Sequence, residues 1–114
     1  MTLAGQTGVG ESLYYEFIKE FLPAPTMLTY GAKIMNNDFE ASHGFTTKGG
    51  LKDATHVRRL ALSVGAPMPS LDAAQRGLVS SIANGGADFD WSSLVAGTRL
   101  AAGLNPFTGV SPRL

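Results

Sequence analysis

Four side chains that can carry positive charge follow a helical spacing in the middle of the chain. They are Lys48, Lys52, His56 and Arg59. On an α-helix these positions fall within about 80° of one another and share one face. Cations near a helix start oppose the helix dipole, and acids are the more usual residues there. Two interpretations stay open: an ordinary exposed face, or a face completed by an anionic group such as a phosphate or carboxylate.

The other residues that could bind a ligand or act in catalysis do not form a recognisable site. Gly5, Gly8 and Gly10 invite a dinucleotide-binding interpretation, but the last glycine of that pattern is missing and no apolar strand precedes it. We therefore interpret this run as a loop before a helix. His43 and His56 are too far apart for a helical metal pair, so we expect no metal site and solvated or capping roles for both. No nucleophile elbow occurs, and no catalytic residue is assigned.

Length and composition favour one globular domain and exclude several classes of partner. The chain has 114 residues, of which 44% are hydrophobic, and this share supports a packed core. Nine basic and nine acidic residues give zero net charge, which argues against a nucleic-acid partner. No apolar run approaches the roughly 20 residues of a membrane span. Cysteine is absent and no secretory signal is visible, so we expect an intracellular protein, cytoplasmic rather than mitochondrial.

Apolar side chains that recur at helical spacing predict an all-α domain. Five helices are expected, over residues 11–22, 26–35, 50–64, 70–84 and 91–102. The predicted N-caps are Thr26, Ser70 and Asp90. We expect a compact bundle of about five helices over residues 1–114, with loop-like ends at 1–10 and 104–114 and no Rossmann domain.

For two of these helices the sequence also predicts which side chains are exposed and which face the core. In the first, one half of the helical wheel is apolar and is wide for so small a domain; it holds Leu13, Tyr14, Phe17, Ile18, Phe21 and Leu22. This width predicts an exposed apolar patch and self-association. In the third helix, Val57 and Leu60 are expected to face the core and Lys52 to point away from it.

Three segments resemble a known family in their order and spacing. They are GFTTKGGLKDA at 44–54, ALSVGAPMP at 61–69 and GADFDWSS at 86–93. Together they resemble the C-terminal domain of the β-hydroxyacid dehydrogenases, a family that includes 3-hydroxyisobutyrate dehydrogenase and is related to 6-phosphogluconate dehydrogenase. The resemblance covers residues 36–103.

The resemblance implies an oxidoreductase that acts on a CH–OH group of a small hydroxyacid with NAD or NADP. In that family a Rossmann domain holds the cofactor, and the helical C-terminal domain closes the cleft and usually builds a dimer. The lysine of the Lys-Asp pair contacts the nicotinamide half of the cofactor or the substrate. The resemblance thus implies Lys52 as a cofactor-binding residue, Phe45 and Asp53 as substrate-binding residues, and a homo-oligomer.

The chain also departs from that family. It carries no Rossmann domain, and Tyr14 stands where the catalytic lysine would follow the glycine run. We therefore expect a substrate-side and dimerisation domain that is inactive by itself, as a detached C-terminal piece, and whether the chain is itself an enzyme stays open. The alternative is a stand-alone helical dimerisation or binding module without catalysis.

Overall fold

The computed structural model describes residues 1–42 and 44–112 of the chain. Its elements are α1 (Thr2–Gln6), α2 (Glu11–Phe21), α3 (Pro25–Asn36), α4 (Thr47–Ser63), α5 (Pro69–Ala83), a 3-10 helix (Trp91–Val95) and α6 (Ala96–Ala101). Within these ranges there is no strand, and a single isolated β-bridge joins Thr46 to Asp90. The predicted all-α architecture is confirmed.

Two helices begin at a proline, one residue before the predicted first helical residue. Ala24 is the N-cap of α3 and Met68 that of α5, in place of the predicted Thr26 and Ser70. Pro25 and Pro69 occupy the first helical position, where the fixed φ of proline suits a helix and its missing N–H costs nothing. The prediction was wrong at these caps because it treated proline only as a helix stop.

Helix α4 begins at Thr47, three residues before its predicted start. The hydroxyl oxygen of Thr46 accepts a hydrogen bond of 3.2 Å from the Gly49 backbone N–H, and this N-cap closes the first turn. The cap outweighs the low helix propensity of Gly49 and Gly50, which had suggested a loop. The basic residues of α4 are therefore fixed on a helix from Lys48 onward.

The N-terminal end differs from the prediction, whereas residues 104–112 form a loop, as predicted. The first ten residues, predicted as a loop, contain the short helix α1. After α6 the chain folds back: the Asn105 N–H donates to the Val110 carbonyl at 2.8 Å, and Leu104 is buried. The guanidinium of Arg99, which is 1% exposed, donates to the carbonyls of Ile34 and Pro106 and so holds this tail against α3.

The core lies where α5 meets α4, the 3-10 helix and α6. Leu78, Ala54, Ala61, Val95 and Ala96 are buried there. Helix α2 packs on α3 instead, and only its Ile18 is buried. No helix in the described part of the chain has the length and apolar character needed to cross a membrane.

The predicted core role of Val57 and Leu60 is wrong. These side chains are 43% and 67% exposed. The face of α4 that meets α5 consists of small residues, Gly50, Ala54 and Ala61, which let the two helices approach closely. Val57 and Leu60 lie to one side of that contact. The predicted exposure of the α2 apolar half is confirmed for all its members except Ile18.

Candidate functional site

The N-terminal turn of α4 is held by the loop that precedes the 3-10 helix. The Trp91 N–H donates to the Phe45 carbonyl at 2.9 Å, and the Thr47 and Lys48 N–H groups donate to the carbonyls of Phe89 and Ala87 at 2.8 and 3.0 Å. These backbone bonds fix where the side chains of residues 45–52 emerge. Two loops that are distant in sequence therefore form one rigid support for the start of α4.

The same bonds determine what this helix start can bind. The first N–H groups of an α-helix have no partner within the helix and often bind anions. Here the N–H groups of Thr47, Lys48 and Gly49 are taken by Phe89, Ala87 and the Thr46 hydroxyl. An anion at this end of α4 must therefore be held by side chains.

Phe45 and Lys52 lie on the same exposed edge of α4. The Phe45 ring packs over Gly49 so closely that a Cβ on Gly49 would meet the ring at 3.0 Å. The ring is 45% exposed, and its inner edge contacts Trp91 at a centroid distance of 6.4 Å. Because Gly49 and Lys52 are three residues apart, the Lys52 side chain stands one turn beyond the ring. The arrangement offers a flat aromatic surface beside an ammonium group.

Two of the four basic residues on this face of α4 already pair with carboxylates of the same chain. Lys48 forms an ion pair with Asp88, and the Lys52 ammonium lies 3.4 Å from the Asp53 carboxylate. Both members of each pair are more than half exposed, so each pair is weak. In the part of the chain that the structure describes, His56 and Arg59 form no ion pair. The three site residues implied by the resemblance lie close together: the Phe45 ring packs on Gly49, and Lys52 and Asp53 are the residues three and four positions after Gly49, one helical turn further along.

A buried charge pair lies behind this edge. Asp90 is 2% exposed; one carboxylate oxygen accepts from Lys33 Nζ at 2.9 Å, and the other from the Ser92 N–H and hydroxyl at 2.9 and 2.6 Å. Burial alone would raise the pKa of Asp90, but the Ser92 hydrogen bonds and the Lys33 ammonium together hold its pKa below the ordinary value. Asp90 is thus ionised at neutral pH and fixes the loop that supports α4.

Three buried hydroxyl groups form a hydrogen-bonded cluster beneath the start of α4. The Ser93 hydroxyl lies 2.8 Å from that of Thr47 and 2.7 Å from that of Ser81, and all three residues are fully buried. Thr47 also donates to the Phe89 carbonyl. These hydroxyls satisfy one another and leave no nucleophile open to solvent, so we assign them a structural role.

The remaining candidates do not assemble into a site. Gly8 and Gly10 adopt positive φ in the turn after α1, a helix rather than a strand, so they do not form a dinucleotide-binding turn. His43 lies outside the described residues. Over residues 1–42 and 44–112, no three acidic or histidine side chains come together in a way that could hold a metal ion.

Sequence reasoning missed the Lys33–Asp90 pair and the hydroxyl cluster. The one available signal was the Asp90-Trp91-Ser92 sequence, which correctly predicted Asp90 as an N-cap. Comparison of the sequence with protein-family models and with curated proteins finds no match. The geometry at the start of α4 and the resemblance of three sequence segments are therefore the grounds for a functional proposal.

Proposed function

We propose that this chain is the substrate-side and dimerisation domain of an NAD(P)-dependent 3-hydroxyacid dehydrogenase. The proposal combines the sequence resemblance with one structural observation. That observation is the exposed Phe45 ring packed on Gly49, one helical turn from Lys52. It joins two of the residues to which the resemblance assigns contacts with cofactor and substrate.

These two residues fit the nicotinamide end of the cofactor and a carboxylate substrate. A half-exposed aromatic ring offers a face for a planar group, and an ammonium beside it can orient a carboxylate or a ribose hydroxyl. The bound nicotinamide would supply the hydride chemistry, and the protein supplies position and charge. Since the helix N–H groups are occupied, a substrate carboxylate at this edge would pair with the Lys52 ammonium in competition with Asp53, whose carboxylate lies 3.4 Å from it.

A titration of the isolated chain tests the proposal. Trp91 is the single tryptophan and contacts Phe45, so its fluorescence reports on ligands that bind over that ring. We expect NADH, NADPH or 3-hydroxyisobutyrate to change this fluorescence in a saturable manner. Lys52→Ala should raise the Kd by about tenfold, the loss expected for one charge-assisted hydrogen bond.

Matched controls lie on the same helix face. Lys48→Ala removes a lysine one turn before Lys52 that, like Lys52, pairs with an exposed aspartate, and Arg59→Ala removes a cation two turns after Lys52. Each should change the Kd less than Lys52→Ala does. Equal effects of all three variants would indicate a diffuse basic face, and no effect at Lys52 would show that its assigned role is wrong.

The isolated chain should show no turnover of 3-hydroxyisobutyrate or related acids with either nicotinamide cofactor. The reason is that its glycine run follows a helix and forms no phosphate-binding turn, and Tyr14 stands at the lysine position. Nicotinamide absorbance after prolonged incubation of the pure chain measures this. Turnover that Lys52→Ala abolishes would contradict the view that the chain needs a separate cofactor-binding domain.

The exposed apolar residues of α2 favour a second candidate, a helical dimerisation or binding module without catalysis. Tyr14, Phe17 and Phe21 follow one another along α2, with ring centroids 6.2 and 4.8 Å apart. They are 38%, 48% and 66% exposed. Exposed patches of this kind mark interaction sites. A chain that self-associates but shows no saturable response to cofactor or hydroxyacid would favour this candidate.

A further inference from the structure

A largely apolar cavity lies between the loop that follows α3, the turn that precedes the 3-10 helix and the loop after α6. Its volume is about 600 Å³, within the usual range of small-molecule sites. Its aromatic lining consists of Phe39, Phe89 and Phe107, one from each of these three segments. We refer to it as the phenylalanine cavity.

The three rings hold one another in place. Phe89 and Phe107 meet edge to face with centroids 4.9 Å apart, and Phe39 lies 6.2 Å from Phe107 and 6.5 Å from Phe89. Phe107 also packs on Gly86, where an added Cβ would lie 3.0 Å from its ring. Because the rings contact one another, a ligand has no room between them and must lie on the open side of the cluster.

Hydrogen bonds join the walls of the phenylalanine cavity. The Asp90 N–H donates to the Phe39 carbonyl at 2.8 Å, and the Asn37 side-chain amide donates to the Thr108 carbonyl at 3.4 Å. These bonds tie the loop after α3 to both of the other segments. A ligand therefore meets a cavity that is already formed, which lowers the cost of binding.

Carboxylates line the same cavity beside the rings. They belong to Asp38, Glu40 and Asp88. Asp88 pairs with Lys48, whereas Asp38 and Glu40 form no ion pair within residues 1–42 and 44–112. A cleft lined by charge of one sign attracts ligands of the opposite sign. The cavity thus combines an apolar surface with two carboxylates that favour a cation.

Two basic groups beside the cavity already have carboxylate partners. Lys33 pairs with Asp90 at 2.9 Å in the neighbouring polar cavity. The Arg99 guanidinium lies 5.8 Å from the Phe39 ring centroid, but it is 1% exposed and has the Glu11 carboxylate at 3.9 Å. Neither group therefore cancels the negative charge at the cavity.

We infer that the phenylalanine cavity binds a small organic cation, an ammonium ion whose substituents are apolar. The three rings accept the apolar substituents, and Asp38 and Glu40 balance the positive charge. Aromatic rings also attract such cations directly. A primary ammonium fits less well, because it is strongly hydrated and an apolar surface does not replace its water.

The inference goes beyond the proposed dehydrogenase role and does not rest on it. The phenylalanine cavity shares no lining residue with the Phe45–Lys52 edge of α4. Its test uses a cation and follows the lining residues of the cavity, whereas the cofactor titration follows Trp91. Failure of one proposal is therefore distinguishable from failure of the other.

Nuclear magnetic resonance of the isotope-labelled chain, titrated with choline, tests the inference. The neutral counterpart is 3,3-dimethylbutan-1-ol, which has the same shape with carbon in place of the charged nitrogen. Sodium chloride holds the ionic strength constant. We expect saturable shifts at the amides of Phe39, Glu40 and Thr108, with a choline Kd in the low millimolar range. The neutral counterpart should bind about fivefold more weakly. Equal affinities, or no saturable choline shifts at these residues, would overturn the inference.

Two variants test the role of the carboxylates. Asp38→Asn and Glu40→Gln each remove one charge and keep the size of the side chain. Each should raise the choline Kd about threefold and leave the Kd of the neutral counterpart unchanged. Glu20→Gln on α2 is the matched control, because Glu20 is also exposed but does not line the cavity. An equal effect of Glu20→Gln and Glu40→Gln would indicate a response to net charge and would contradict a site at the cavity.

Phe107→Leu tests the aromatic contact. Leucine keeps an apolar side chain but removes the ring, so the choline Kd should rise about threefold more than that of the neutral counterpart. Circular dichroism checks that the fold is intact, and the two carboxylate variants test the cavity without altering the ring cluster. An unchanged ratio of the two Kd values in a folded Phe107→Leu chain would contradict binding against the rings.

A primary ammonium tests the ligand class. N-acetyl-lysine amide carries the same charge as choline without apolar substituents on the nitrogen, and it represents a lysine side chain of a protein partner. It should bind the cavity about fivefold more weakly than choline. Tighter binding of N-acetyl-lysine amide than of choline would overturn the assignment to an ammonium with apolar substituents.

Discussion

Replacing Asp90 by alanine should lower the free energy of unfolding by about 3 kcal/mol, the lower end of the range for breaking a buried ion pair. Asp90 is 2% exposed, and its two carboxylate oxygens accept from Lys33 and Ser92. Its removal leaves the Lys33 ammonium partly buried without a partner and uncaps the 3-10 helix. Urea denaturation at neutral pH measures the loss.

Asp88→Ala is a matched control for this change. Asp88 also pairs with a lysine, Lys48, and lies only two residues away, but both side chains are exposed. Its removal should change the free energy of unfolding by no more than about 0.5 kcal/mol. Similar losses for Asp88→Ala and Asp90→Ala would contradict a special role for the buried pair.

The stabilising effect of Asp90 should also depend on pH. Because the folded-state pKa of Asp90 lies below its unfolded value of about 3.9, folding favours the ionised form. Its contribution is fully present above about pH 5 and is lost as pH falls through the folded pKa. Urea denaturation of wild type and Asp90→Asn at neutral and acid pH should show their difference shrinking with acid. A difference that grows with acid would contradict the assigned direction.

Gly77→Ala should destabilise the domain by about 2 kcal/mol, although alanine is the better helix former. A Cβ at Gly77 would lie 2.5 Å from the Leu94 backbone oxygen, an atom that cannot move without shifting the 3-10 helix. Such overpacking typically costs 1–3 kcal/mol or more and exceeds the gain in helix propensity of about 1 kcal/mol. Thermal or urea unfolding measures the effect.

Gly5→Ala serves as the control for helix propensity. Gly5 also lies in a helix, but a Cβ there would meet only the flexible Glu11 side chain, at 3.4 Å. Its replacement should leave stability unchanged or raise it by a few tenths of a kcal/mol. A stabilising Gly77→Ala change would show that α5 and the 3-10 helix are less closely packed than the structure has them.

Helices α2 to α5 were predictable because each has an apolar face at helical spacing and a proline, glycine or asparagine near its end. The five-residue helix α1 was predicted as a loop, and the single helix predicted over residues 91–102 is a 3-10 helix followed by α6. Which side of each helix packs against the core was less predictable. Hydrophobicity pointed to Val57 and Leu60 as the core side of α4, whereas the contact uses Gly50, Ala54 and Ala61, whose small size matters more than their apolarity. Close packing of backbones leaves no hydrophobic signal in a single sequence.

In the candidate site, the sequence predicted only those residues that a short segment of the chain identifies by itself. Phe45, Lys52 and Asp53 were identified through the resemblance, and Asp90 through its capping position. The pairs that support them join residues 57 positions apart, as for Lys33 and Asp90, or 40 apart, as for Lys48 and Asp88. Such pairings depend on how the loops fold back on α4, and a sequence read along its length does not specify them.

We propose that the cofactor and the hydroxyacid bind this domain at the Phe45–Lys52 edge of α4. Nuclear magnetic resonance of the isotope-labelled chain, titrated with NADPH and then with 3-hydroxyisobutyrate, tests this claim most directly. We predict saturable shifts at the amides of Gly49 and Lys52 and at the Trp91 indole, with no change along α2. Saturable shifts centred elsewhere, or none at this edge up to millimolar ligand, would contradict the account.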